Sequence, residues 1–440
     1  MKRRSGDREN RRKGKSLFPA SPLSRFSGSR FSVPGFKAAG IACGIKHVPA
    51  GFKQGKNGNK DLAMIYSESA AVAAAVFTKN KVKAAPVLLD MQRLKKGLCQ
   101  AIIINSGNAN ACTGKKGMED AARMAATVED VLGIKKGFVM VASTGVIGQN
   151  LPIDKIEKGI SKLVSSLSAK GWNDAVHAIM TTDAFPKAVF EKCRLGGKEI
   201  SVLGIAKGAG MICPDMATML AFLATDAAIE QKTLQAMLKL SVDNSFNCIT
   251  VDGDTSTNDT VLILANGKAG NKEVRSQKSG VRSKDYKTFS EMLERACLKL
   301  AKMVVMDGEG STKLLKLHVS GAKTDSDAKK IAETVANSPL VKTAFFGEDA
   351  NWGRIMAAIG RSGADMKQEK INVYFNNVPV VMKGQGAACK GQDREKMAAK
   401  AVKQKEVCIR IELGMGRGIA TVWASDLSYE YVRINAAYRT

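Results

Sequence analysis

Short apolar runs of strand length alternate with longer amphipathic stretches along almost the whole chain, and this limits the fold more than any other feature. Apolar residues recurring every three or four positions line one face of a helix, while a short unbroken apolar run is a strand buried on both sides. Residues 118–132 have the helical spacing (Ala121, Met124, Ala125, Val128, Leu132) and stop at Gly133. Pro152 opens a second stretch with Ile153, Ile156, Ile160, Leu163, Val164 and Leu167 on one face, ending by Gly171. Residues 229–242, 286–306 and 327–335 read as further helices. Residues 62–65, 71–77 and 84–89 read as strands with a small-residue turn between them, and 101–104, 138–142, 218–227, 248–251, 314–319 and 371–381 as further strands. Residues 407–413 alternate cleanly, with Val407, Ile409, Ile411 and Leu413 inward. The Lys-rich stretch 266–285 reads as an internal loop. Strands and helices interleaved in both halves predict an α/β (α+β) fold with helices covering stacked β-sheets.

With 440 residues, 45% of them apolar, the chain has ample material for such a core. No apolar run reaches the roughly 20 residues of a membrane span, so no membrane partner is expected. The formal charge of +27 points at first to nucleic acid. Its distribution argues otherwise. Residues 1–35 hold ten Lys/Arg against Asp7 and Glu9, and residues 1–34 read as a disordered basic arm. The arm fits an organelle transit peptide, which would place the protein in a mitochondrion or plastid, or a solvated extension of a cytoplasmic protein. Elsewhere the basic residues are spread among apolar ones and no nucleic-acid-binding motif is present. Nine scattered cysteines without a C-x-x-C pair read as reduced thiols, and three histidines leave little room for histidine-rich metal chemistry.

Two glycine-rich segments imitate phosphate loops and fail. Six residues separate Gly107 from Gly114, and Lys116 stands where a Walker loop has Ser or Thr. Gly414-Met415-Gly416-Arg417-Gly418 runs into a further β-type stretch, so a hairpin is expected there. The informative segment is Lys207-Gly208-Ala209-Gly210-Met211-Ile212-Cys213-Pro214-Asp215-Met216-Ala217-Thr218-Met219-Leu220, a loop that delivers a threonine to the start of a buried strand. A threonine so placed can attack the carbonyl before it, here that of Ala217, and an N→O shift followed by hydrolysis cuts the chain. The new terminal Thr218 carries its own base, since an α-amine titrates near 7.7. Spacing alone fits equally a threonine that only ends a loop before a core strand. Cys213 lacks a neighbouring His or Asn and reads as an inert loop thiol.

This segment resembles the autoprocessing site of the ornithine acetyltransferase family, also called bifunctional glutamate N-acetyltransferase, of arginine biosynthesis. The likeness runs from Gly35 to Thr440. It includes Phe77-Thr78-Lys79-Asn80-Lys81-Val82-Lys83-Ala84-Ala85-Pro86-Val87, Asn105-Ser106-Gly107-Asn108-Ala109-Asn110-Ala111-Cys112-Thr113-Gly114 and Val251-Asp252-Gly253-Asp254-Thr255-Ser256-Thr257-Asn258-Asp259-Thr260. Asn351-Trp352-Gly353-Arg354-Ile355 and the terminal Ile434-Asn435-Ala436-Ala437-Tyr438-Arg439-Thr440 belong to it too. The resemblance implies a fold like that of the N-terminal-nucleophile sandwiches, with Thr218 the nucleophile of self-cleavage at Ala217-Thr218 and of acetyl transfer. It implies Thr144 and Gly145, in a turn after a strand, as the oxyanion hole, where one donor is typically worth ~2.7–4 kcal/mol. Substrate contacts are implied at Thr181, Lys207, Thr218, Glu309, Asn435 and Thr440, with Lys207 pairing a carboxylate and Glu309 an amine. Asp215 stands where the family often has Asn, Cys213 where it has His or Ala, and Ala437 where it has an acidic residue.

The function so implied is ping-pong transfer of an acetyl group from N-acetylornithine to glutamate. The cut would leave an α chain 35–217 behind the arm and a β chain 218–440 that stay associated, two of each. No metal or bound cofactor is implied, and whether acetyl-CoA serves as a second donor stays open. The rivals are a related N-terminal-nucleophile amidase or aminopeptidase, and a basic nucleic-acid-binding protein.

Overall fold

The computed structural model describes residues 31–46, 60–213, 219–276, 283–387 and 393–437. Up to residue 213 it contains β1 (Phe36–Ile41), β2 (Leu62–Phe77), α1 (Ala85–Arg93), β3 (Leu98–Asn108), α2 (Gly114–Leu132), β4 (Val139–Val146), α3 (Ile153–Ser165), α4 (Trp172–Ile179), β5 (Lys187–Leu195) and β6 (Lys198–Lys207). From residue 219 follow β7 (Leu220–Thr225), α5 (Gln231–Asp243), β8 (Ile249–Thr250), β9 (Thr260–Ala265), α6 (Lys284–Met306), β10 (Leu314–Ala322) and α7 (Asp325–Ala336). The last part holds α8 (Pro339–Phe346), α9 (Trp352–Gly360), β11 (Asn372–Phe375), β12 (Val378–Met382), β13 (Gln385–Gly386), α10 (Asp393–Val402), β14 (Glu406–Glu412), β15 (Gly418–Ser425) and α11 (Tyr429–Ala437).

Two sheets result. The larger runs β4-β3-β2-β9-β7-β6-β5, with β1 also paired to β2. The second runs β13-β12-β11-β14-β10-β15-β8. In the larger sheet β7 and β9 lie between β2 and β6, so strands from after residue 218 are inserted among strands from before it. One face of this sheet packs on α5 and α6, whose Leu234, Leu238, Phe289, Leu293 and Leu300 are fully buried with Trp423 and Ile249 of the second sheet. The other face packs on α4 through Trp172, Val176 and Ile179, whereas α2 and α3 cover the alternate residues of β1 to β4, among them Ala39, Leu62, Met64, Ile103 and Val141, on the face opposite α4. Each fully buried leucine or phenylalanine is worth about 1.5–3 kcal/mol, so the three-heptad stripe of α6 fixes that helix between the sheets. The α/β class with helices covering two sheets is the architecture expected. No helix among the described residues is long and apolar enough to cross a membrane. No disulfide joins the described cysteines, and no described group of His, Cys, Asp and Glu could hold a metal ion.

Several local expectations are corrected. Residues 62–77 are one strand whose pairing with β3 shifts register between Tyr66 and Ala71, rather than two strands and a turn. Residues 84–89, read as a strand, open α1, because Pro86 in the first turn pre-sets helical φ and needs no hydrogen-bond partner. The strand read over 371–381 is the hairpin β11–β12, turned at Asn376 with φ 53°, a left-handed conformation asparagine tolerates. The hairpin expected at Gly414–Gly418 is absent. β14 and β15 flank β10 on opposite sides, parallel and antiparallel, and the glycine segment crosses the end of β10 with Met415 and Gly416 N–H both bonded to Gly321 O. The readings for residues 1–30, Ala217, Thr218 and Thr440 lie outside the described residues.

Candidate active site

Thr144 and Gly145 lie among the last residues of the strand β4 itself rather than in a turn after it. Gly145 has φ 133°, and a Cβ there would lie 2.3 Å from Gly107 C and 2.5 Å from Asn108 N on β3. Only glycine fits between two backbones at that distance. Buried amides hold the place from both sides. The Asn258 side chain donates to Ser143 O at 2.9 Å and Ala109 O at 2.6 Å, while Ser143 Oγ donates to Asn105 Oδ1 at 2.5 Å. Asn108 Nδ2 donates to Gln149 O and Asn150 O. The Asn-rich motif of residues 105–110 is therefore a scaffold of satisfied amides, which is the condition for burying them.

Lys207, the last residue of β6, is buried and donates to Thr144 Oγ1 at 3.2 Å. Because that oxygen accepts from an ammonium, the threonine's own hydrogen is left to point elsewhere. Thr144, Gly145, Thr181 and Lys207 meet Glu309 and Asn435 around one cavity of about 250 Å³. Glu309 follows the end of α6, its N–H bonded to Ala209 O, and its carboxylate accepts from Asn435 Nδ2 of α11 at 2.7 Å. Gly210 makes room for it, since a Cβ there would stand 2.7 Å from that carboxylate. Asp252 completes this wall. It accepts the Met211 and Ile212 N–H groups at 2.7 and 2.8 Å and the Tyr431 hydroxyl at 3.3 Å, fixing the loop that leads toward residue 213. The cavity is thus cationic at the Thr144–Lys207 end and carries Glu309, Asp252 and Asp254 elsewhere on its wall, a polarity that suits a small zwitterion.

Charge is buried around it. Burial lowers the Lys207 pKa, opposed chiefly by Asp183. Burial pushes the Asp183 carboxyl up, but Lys187, Lys207 and the Gly208 N–H together hold it well below the carboxylate range. Burial lifts Asp307 from 3.8 to about 6 against the pull of Lys187. The folded protein thus binds this proton more tightly than the unfolded chain, and ionising Asp307 costs stability as pH rises from about 4 to about 6. The stability of the wild type relative to Asp307→Asn is expected to fall across that window, by at most about 3 kcal/mol at ~1.4 kcal/mol per pKa unit. Denaturant titrations of both proteins at the two ends of the window check it; a difference that stays flat or rises contradicts the assignment.

Of the site residues expected from sequence, six are described and all six line this cavity. Thr218 and Thr440 lie outside the described residues. Met219, one position on, is fixed by its N–H bond to Asp259 Oδ1 at 3.0 Å, and Asp259 Oδ2 is buried without a hydrogen-bond partner. Burial raises this carboxyl well above its ordinary value, against the pull of the Met219 N–H and Lys207. Sequence reasoning missed Asp252, Tyr431, Asn258, Asp183, Lys187 and Asp307. A signal existed for some of them: Lys187 is a lone cation in the apolar run from Phe185 to Phe190, a position that requires a buried partner.

A model of the ArgJ family matches residues 37–440. The arginine biosynthesis bifunctional protein ArgJ of Caldanaerobacter subterraneus subsp. tengcongensis is 49% identical over 410 residues, which is 92% of this chain and 97% of that protein. A protein of the same name from Geobacter sulfurreducens is 49% identical over 409 residues, 93% of this chain and all of its own length. A mitochondrial ArgJ protein of Heterostelium pallidum is 42% identical over 439 residues, 96% of this chain and 97% of that one. Matched by the family model over all but its first residues, and almost half identical to such relatives across nine-tenths of its length, the chain belongs to the ArgJ family.

Proposed function

We propose that the protein is a self-processing acetyltransferase of arginine biosynthesis that moves an acetyl group from N-acetylornithine to glutamate. The observation that carries this reading is the single cavity in which a buried lysine and threonine pair, Lys207 and Thr144, shares walls with Glu309 and Asn435, in a chain whose relatives are named as bifunctional proteins of arginine biosynthesis.

The steps follow from the residue types. Thr218 Oγ attacks the Ala217 carbonyl, the peptide nitrogen leaves as an amine, and water hydrolyses the ester to free an α chain 35–217, behind its arm, and a β chain 218–440. The Thr218 α-amine then takes the hydroxyl proton as Oγ attacks the acetyl carbon of N-acetylornithine. The oxyanion is met by the Thr144 hydroxyl, already accepting from Lys207, and by the Gly145 amide. Collapse expels ornithine, and glutamate takes the acetyl group by the reverse sequence. Lys207 and Thr181 grip the substrate carboxylate, while Glu309 with Asn435 and Thr440 grips the amine. Burial lowers the Lys207 pKa and Asp183 already opposes this, so an arriving substrate carboxylate adds a further counter-charge that favours the ammonium. The chemistry asks for no metal or bound cofactor, and acetyl-CoA is the natural candidate for a second acetyl donor. Two α and two β chains are the assembly we infer, in the cytoplasm unless the basic arm is an import signal.

The test is a two-substrate assay on purified protein. Ornithine should appear from N-acetylornithine, with N-acetylglutamate formed in equal amount when glutamate is supplied. Release of free acetate with no N-acetylglutamate would show a hydrolase instead, and acetyl-CoA with glutamate alone reads the second donor.

A further inference from the structure

Behind the cavity lies a buried charge cluster that the proposed chemistry leaves without a task. The Lys187 ammonium, its side chain wholly buried, stands 2.6 Å from Asp183 Oδ1 and 2.5 Å from Asp307 Oδ2, and both carboxylates are themselves buried. Each carboxylate also holds backbone. Asp183 accepts the Thr181 N–H and the Gly208 N–H, the latter next to Lys207, both at 2.8 Å. Asp307 accepts the Ala184 N–H at 3.0 Å and caps α6 two residues before Glu309.

Stability alone is a poor explanation of such a cluster, because well-packed apolar side chains of the same volume usually fold as well as a buried ion triad. What the triad adds is direction. It ties the α4–β5 loop, the end of β6 and the segment after α6 to one ammonium, and each of these carries a residue of the cavity wall, Thr181, Lys207 and Glu309. Asp183 and Lys187 also precede the proposed cut and Asp307 follows it, so the same ammonium spans both proposed chains.

We propose that Lys187 is a positioning residue of the acetyl-transfer site, holding Thr181, Lys207 and Glu309 in the register that grips the amino-acid substrate. This rests on the acetyltransferase reading given above.

Lys187→Met alone leaves two buried carboxylates unpaired and is expected to fold poorly. The informative protein is the uncharged triple variant Asp183→Asn/Lys187→Met/Asp307→Asn, beside Asp307→Asn, Lys187→Arg and the wild type. For each, the melting temperature, kcat, and KM for N-acetylornithine and for glutamate are measured. The expected result for the triple variant is a melting temperature within a few degrees of wild type, KM raised about tenfold for both substrates and kcat changed less than about threefold, the pattern of lost ground-state binding. Lys187→Arg should recover part of the KM. If the triple variant does not fold, Asp307→Asn carries the same split. A folded triple variant or Asp307→Asn with wild-type KM, whatever its melting temperature, overturns the proposal while leaving the acetyltransferase reading intact. A wild type that transfers no acetyl group overturns both.

Discussion

Thr218→Ala is expected to migrate on a denaturing gel as one 440-residue chain, where the wild type gives fragments of 217 and 223 residues. It is also expected to lose acetyl transfer by about 10³-fold or more, the usual consequence of removing a covalent nucleophile. Both losses come from one atom. In the proposed reaction Oγ is the group that attacks the Ala217 carbonyl, and the same Oγ carries the acetyl group afterwards. The α-amine that serves as its base exists only once the cut is made, so a chain that cannot cleave also lacks the base. Thr218→Ser keeps the hydroxyl and, after cleavage, the amine, and should retain both cleavage and transfer in part. Fragments of unchanged size from Thr218→Ala would put the nucleophile elsewhere.

The second large effect is expected at Gly145. Alanine there would set its methyl 2.3 Å from a backbone carbon of Gly107 and 2.5 Å from a backbone nitrogen of Asn108, atoms that cannot swing aside as a side chain would. The φ of 133° adds strain of about 1–3 kcal/mol for any L side chain. β3 and β4 must therefore part at the point where Thr144 meets Lys207, and transfer should fall by about 10² to 10³, the range for loss of an oxyanion donor. Gly148→Ala is the control. It too has positive φ, at 81°, but its new methyl would meet nothing within 4 Å. A steady-state assay of the two variants, with their melting curves, separates the clash from the dihedral. Equal, small effects at both positions would remove Gly145 from the oxyanion assignment.

Much of this was legible in the chain because local pattern and tertiary role agree there. α6 announces itself by Phe289, Leu293, Ala296, Leu300 and Val304, and the inward set of β14 by strict alternation. One misreading falls where pairing across long sequence distances decides the outcome. Nothing local to Gly414–Gly418 tells that β10 will lie between β14 and β15, since that depends on pairings formed from residues 314–322. The site divides in the same way. Motif residues such as Lys207 and Glu309 were readable through likeness, but the partners that hold them were not. Asp183 and Asp307 are 124 positions apart and share one ammonium only after folding. Asn258 reaches β4 across 115 positions to hold Ser143.

The order of strands in the larger sheet carries a consequence for how the molecule comes to exist at all. β7 and β9 are its middle, yet they belong to the fragment that would start at residue 218. While the chain is whole, the short link from β6 to β7 supplies the second half at a high effective concentration, and sheet closure is intramolecular. After the cut that advantage is gone. Renaturation of the cleaved protein becomes a bimolecular reaction, slower with every dilution, whereas the uncut chain refolds at a rate independent of concentration. The proposed cleavage would then act as a one-way step in time: the precursor finds the sheet, and the cleaved protein persists by its barrier to unfolding rather than by its capacity to form again.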